Sequence, residues 1–116
     1  MSRILILGVL AASPVWAAEW HMKPGDVPLT PAELDALAGR TLTFYDDGQS
    51  KYSAGGAYSY TYASGESAFG TYSIAEDGSI CIQYRNGFSR CDLYVYSGER
   101  LILIDQKGDR YPVRPE

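Results

Sequence analysis

The sequence predicts a mainly β protein: a small antiparallel up-and-down barrel, or an open meander, of seven to eight strands with one short N-terminal helix. Three observations predict it. Glycine-bearing turn triplets recur through residues 46–108, segments rich in tyrosine, isoleucine and threonine lie between them, and one stretch alone carries helix start and stop signals. A chain of 116 residues is the size of a single small domain. Its hydrophobic fraction of 46% and charged fraction of 21% are those of a globular protein rather than a disordered one. The formal charge of -4 argues against a nucleic-acid partner, whose phosphates call for a basic surface. One histidine and two cysteines are too few for a tetrahedral zinc site without carboxylate help, so no metal and no cofactor is expected.

The chain opens with Arg3, an apolar run over Ile4–Ala12, a Ser13-Pro14 break and the small-residue site Val15-Trp16-Ala17. That is the three-part pattern of a secretory signal peptide, here residues 1–17 with cleavage after Ala17. The apolar run is shorter than the roughly 20 residues that span a bilayer, and no cysteine follows it for lipid attachment. No stable membrane span is expected after cleavage. Residues 18–29 are then an extended N-terminal segment and residues 30–116 a single barrel-like domain.

Within that domain, Thr30-Pro31-Ala32-Glu33 is a capping box with proline at the first helical position. Leu29 and Leu34 occupy the two places of a hydrophobic staple, and Gly39 ends the helix in a left-handed conformation. The spacing predicts a helix over 31–38 that buries Leu34, Leu37 and Ala38. Two turns of helix are marginal alone, so this one must dock on the sheet and cover one end of it.

Asp46-Asp47-Gly48, Glu76-Asp77-Gly78, Arg85-Asn86-Gly87 and Gln106-Lys107-Gly108 each place glycine third. A three-residue hairpin loop takes a left-handed residue there, which glycine supplies without strain. The resulting registers face Ile74 with Ile80, Tyr72 with Ile82, Leu103 with Tyr111 and Leu101 with Val113. Ser64-Gly65-Glu66 and Ser97-Gly98-Glu99 turn the chain again. Gly55-Gly56 reads equally as a bulge in one strand or a turn between two. An open meander of this size exposes two edges, which curling into a barrel removes; a two-sheet sandwich is the second choice.

The Arg85-Asn86-Gly87 turn also settles the cysteines. A two-residue loop would set Cys81 opposite Asp92 and send the two sulfurs to opposite faces. The three-residue loop pairs Tyr84 with Phe88 and brings Cys81 opposite Cys91, within disulfide reach. The spacing is not that of a redox-active Cys-x-x-Cys pair, so the bond is read as a staple formed in an oxidising compartment. By loop entropy it stabilises by up to about 3 kcal/mol.

Tyr58, Tyr60 and Tyr62 alternate along one strand and share a face. The registers add Tyr72, Tyr84, Tyr94, Tyr96 and Tyr111 to it, together with Arg90 and Asp92. Tyrosine packs well in any sheet, yet such a wall could also hold a sugar, a lipid or another small molecule. The candidate ligand-binding set is therefore Tyr58, Tyr60, Tyr62, Tyr72, Tyr84, Arg90, Asp92 and Tyr94. The two charged residues either pair with each other and with tyrosine hydroxyls, or are flipped outward by a bulge. His21 reads as exposed and idle, and no nucleophile, zinc-protease or phosphate-loop motif is present.

The order of signal peptide, Leu29–Thr41 (LTPAELDALAGRT), Gly70–Cys81 (GTYSIAEDGSIC) and Arg90-Cys91 resembles that of small exported proteins from Gram-negative, mainly alphaproteobacterial, genomes. The resemblance implies a periplasmic location and a fold of this kind, and it carries over no catalytic residue. The expected function is a non-enzymatic binding module for a small molecule or a periplasmic protein. One alternative is an inhibitor of an exported protease or lysozyme that inserts Ala18–Pro28 into its target. Another is an enzyme in which Arg90, Asp92 and a tyrosine converge.

Overall fold

A computed structural model describes residues 20–116; the signal peptide expected over residues 1–17 and its expected cleavage point lie outside the described residues. The chain forms β1 (Asp26–Pro28), α1 (Pro31–Asp35), β2 (Arg40–Thr43), β3 (Gln49–Tyr52), β4 (Ala57–Thr61), β5 (Ser67–Ile74), β6 (Ile80–Tyr84), β7 (Ser89–Ser97), β8 (Arg100–Asp105) and β9 (Arg110–Pro112). Strands β2 to β9 follow one another in an antiparallel meander. The sheet is a single curled layer, a half-barrel, rather than a sandwich. Its outer strands meet where Phe44 bridges Val113 and the Arg114 N–H donates to the Thr43 carbonyl at 2.8 Å.

Ile74 faces Ile80, Tyr72 faces Ile82 and Leu103 faces Tyr111, as the turn pattern predicts. The loops after Ala75, Tyr84 and Asp105 share one design, with Gly78, Gly87 and Gly108 left-handed in the third position. The loop after Phe44 departs from it. There Phe44 pairs with Gly48, and Asp47 takes the left-handed place at φ 71. A Cβ on Gly48 would collide with the Tyr60 hydroxyl. Glycine is thus needed for a neighbour's passage, and aspartate, which tolerates the left-handed region, makes the turn. Gly55-Gly56 is a turn between β3 and β4: the Ser53 N–H donates to the Ala57 carbonyl, and Tyr52 faces Tyr58.

Cys81 and Cys91 face each other across β6 and β7 with Cα atoms 4.0 Å apart and are disulfide-bonded. The capping box of α1 is complete: Thr30 Oγ1 accepts from the Glu33 N–H, and Glu33 Oε1 accepts from the Thr30 N–H. The helix is shorter than the expected 31–38. Beyond Asp35 the Leu37 and Ala38 N–H groups reach carbonyls three residues back, tightening the last turn and leaving Ala38 exposed. The Gly39 N–H then donates to the Tyr52 carbonyl, tying the turn to β3.

Two apolar clusters hold the fold. The first fills the curl with Leu29, Leu34, Leu37, Leu42, Tyr52, Tyr58, Ile80, Ile82, Tyr94 and Leu103. The second lies on the outer face of β7 and β8, where Leu93, Val95, Ile102 and Ile104 are covered by Trp20. These two strands are apolar on both faces, so the segment before α1 has to pack on them. Strand β1 pairs with the part of β7 that lies beyond its pairing with β6. Asp26 takes two hydrogen bonds from Arg110 at 2.8 and 2.9 Å, and Trp20 Nε1 donates to Asp77 at 3.1 Å. Residues 20–28 thus run along β7 and β8, anchored by the buried Trp20 at one end and by the pairing of Asp26–Pro28 with β7 at the other.

Candidate functional site

Alternation along β7 turns Asp92 and Tyr94 into the curl and Leu93 and Val95 out of it. Strand β4 runs away from the helix end, and the tyrosines on it and just past its end grade accordingly. Tyr58 is buried, Tyr60 half-buried and Tyr62 54% exposed.

Towards the helix the tyrosines are core. The Tyr52 and Tyr94 hydroxyls pair at 2.8 Å, Tyr58 pairs with Ser50 at 2.8 Å, and Tyr72 donates to the Ser53 carbonyl at 2.9 Å. Burial pushes the hydroxyls of Tyr52, Tyr58 and Tyr94 well up, so all three stay neutral. Of the predicted ligand-binding set, Tyr58, Tyr72 and Tyr94 belong to this packed layer rather than to a cavity. Tyr52 was missed because its partnership with Tyr58 depends on reading Gly55-Gly56 as a turn.

Above that layer Arg90 and Asp92 pair, the first of the two arrangements the sequence allowed. Arg90 Nε lies 3.1 Å from Asp92 Oδ2, with the Asp92 side chain 1% exposed and that of Arg90 33%. The guanidinium rests near the faces of Tyr60 and Tyr84, 5.8 and 6.0 Å from their centroids. The Nε–Oδ2 approach lacks hydrogen-bond alignment, and both atoms are buried without another partner. Burial pushes the Asp92 carboxyl up to about 6 against the opposing pull of Arg90. For Arg90 the burial cost is more than offset by Asp92 and the neighbouring hydroxyls, so its pKa is raised and its charge is secure.

At the end opposite the helix the half-barrel opens on a cavity of about 480 Å³. Phe44, Tyr60, Tyr62, Phe88, Leu103 and Tyr111 give it apolar walls; Arg90 and Asp92 line it, with Asp105 from the end of β8 and Asp46 and Lys107 from the surrounding loops. Four predicted residues thus meet here: Tyr60, Tyr62, Arg90 and Asp92. Tyr84 stands behind Arg90, packed edge-on to Tyr58. Phe44, Phe88 and Tyr111 were outside the predicted set, although the Tyr84–Phe88 and Leu103–Tyr111 pairings already placed two of them. The volume falls in the range of small-molecule sites, and apolar walls with a few polar groups are the usual lining of one. Among the described residues no cluster of three or more His, Cys, Asp or Glu side chains could hold a metal ion. The chain matches no protein-family model, no curated protein and no solved structure.

Proposed function

We propose that this chain is an exported, non-enzymatic binding module that takes a small ligand into the open end of its half-barrel. One observation carries the reading. The molecule pairs or packs its aromatic and polar groups at the helix end, yet at the other end it surrounds a cavity with Tyr62, Phe88 and Tyr111, all more than 40% exposed. Exposed aromatics around a pocket whose wall holds an under-satisfied ion pair are a recognition surface in physical terms. The Cys81–Cys91 disulfide supports export to an oxidising compartment, in keeping with the signal-peptide pattern and the periplasmic resemblance. Among the described residues no helix is long and apolar enough to cross a membrane.

The convergence of Arg90, Asp92 and tyrosine favours a second reading, an acid–base enzyme, because the Asp92 pKa is moved towards neutrality. Against it, Asp92 is 1% exposed and Arg90 stands beside it, leaving little access for a substrate proton. The inhibitor reading has less support, since Trp20 and Met22 pack on β7 and β8 and Asp26–Pro28 pair with β7.

A thermal-shift screen of the mature chain against sugars, amphiphiles, amines, carboxylates and cell-wall fragments tests the binding reading. At least one class should raise the melting temperature in a saturable way. A screen with no hit, or turnover of a hydrolase substrate that Asp92→Asn abolishes, would contradict it.

A further inference from the structure

We infer that the ligand is a neutral, ring-shaped polyol of the saccharide class, held between the aromatic rim and the Arg90–Asp92 pair. This rests on the binding reading above. The charge around the cavity selects the class. Arg90 already places a cation against Tyr60 and Tyr84, so a second cation entering that aromatic surface meets a fixed positive charge. An anion attracted by Arg90 and Lys107 would also meet Asp92 in the wall and Asp46 and Asp105 at the rim. Charges of both signs in one small space disfavour a ligand of either sign and suit one with none.

A neutral ligand must still satisfy the polar wall, and a purely apolar one would leave it desolvated and under-bonded. Arg90, with a third of its side chain exposed, offers N–H donors, and the more exposed carboxylates of Asp46 and Asp105 at the rim offer acceptors. Adjacent donor and acceptor match neighbouring hydroxyl groups, each of which gives one hydrogen bond and takes another. The C–H face of a sugar ring suits Tyr62, Phe88 and Tyr111, whose rings stand 41–62% exposed at the mouth. A sugar therefore uses both halves of the lining, which a lipid tail, an amine or a carboxylate does not.

Isothermal titration of the mature chain with cellobiose, maltose, lactose and N,N′-diacetylchitobiose tests the inference, with benzylamine, benzoate and octyl alcohol as comparison probes. At least one disaccharide should bind. Phe88→Ala and Tyr62→Ala should each weaken it by about five- to tenfold, the scale of one lost aromatic contact. Both side chains are more than half exposed, so thermal melts of the variants should match the parent and show that folding is intact. If a comparison probe binds and no sugar does, the saccharide inference falls while the small-ligand reading stands. If a sugar binds equally well to both variants, its assignment to this cavity is overturned. If nothing binds, both readings fail.

Discussion

The two ends of the half-barrel use the same kinds of residue to opposite effect. At the helix end, Tyr52, Tyr58 and Tyr94 are at most 2% exposed, their hydroxyls are paired, and Leu34 and Leu37 close the curl over them. At the open end, Tyr62, Phe88 and Tyr111 stand in solvent, and Arg90 faces Asp92 without full hydrogen bonding. One tyrosine-rich face thus divides into a part that supports the fold and a part free to do something else. The boundary is set by depth along the strands, not by residue type.

That division makes unequal predictions for the two ends. Leu37→Ala, under the helix, should cost about 3 kcal/mol, because it opens a cavity where the curl is closed. Urea unfolding measures this, and a loss below about 1 kcal/mol would mean that the helix does not seal that end.

A pH series sharpens the contrast from the open end. The folded pKa of Asp92, about 6, lies above its ordinary value of 3.8. Its contribution to stability is therefore complete below 3.8 and lost as pH rises through 6. Relative to Asp92→Asn, the parent should gain about 2 kcal/mol between pH 7 and pH 4.5. Asp26 behaves oppositely: its bonds from Arg110 outweigh burial and lower its pKa, so its contribution is present above 3.8 and lost as pH falls through the lowered value. A flat difference between parent and Asp92→Asn would show that the pair is not buried in solution.

Tyr52→Phe keeps the ring but orphans the Tyr94 hydroxyl, at a cost of about 1–2 kcal/mol in chemical denaturation. Phe88→Ala, at the rim, should change stability by less than about 0.5 kcal/mol in the same assay. If the rim variant proved as costly as the core ones, the two ends would not differ in the way described.

Much of this architecture was legible because hairpins are local. The loops at Gly78, Gly87 and Gly108 fix three registers within a few residues, and the second of these registers aligns the cysteines. What escaped was long-range. Asp47 rather than Gly48 turns left-handed because Tyr60, twelve residues further on, needs the space beside Gly48. The docking of Trp20 depends on an outer apolar face and on Asp77, 57 residues away. The site was half visible for the same reason. Alternation put the tyrosines, Arg90 and Asp92 on one face, but the helix and the closing bridge at Phe44 and Val113 decide which of them reach solvent.

The most direct test is a fragment screen by two-dimensional NMR on isotope-labelled residues 18–116, with perturbations mapped to residues. Binding fragments should shift signals of Tyr62, Phe88, Arg90, Asp92 and Tyr111 and leave those of Leu37 and Tyr52 in place. Perturbations confined to the helix end, or scattered over the surface with no focus at the open end, would contradict the account.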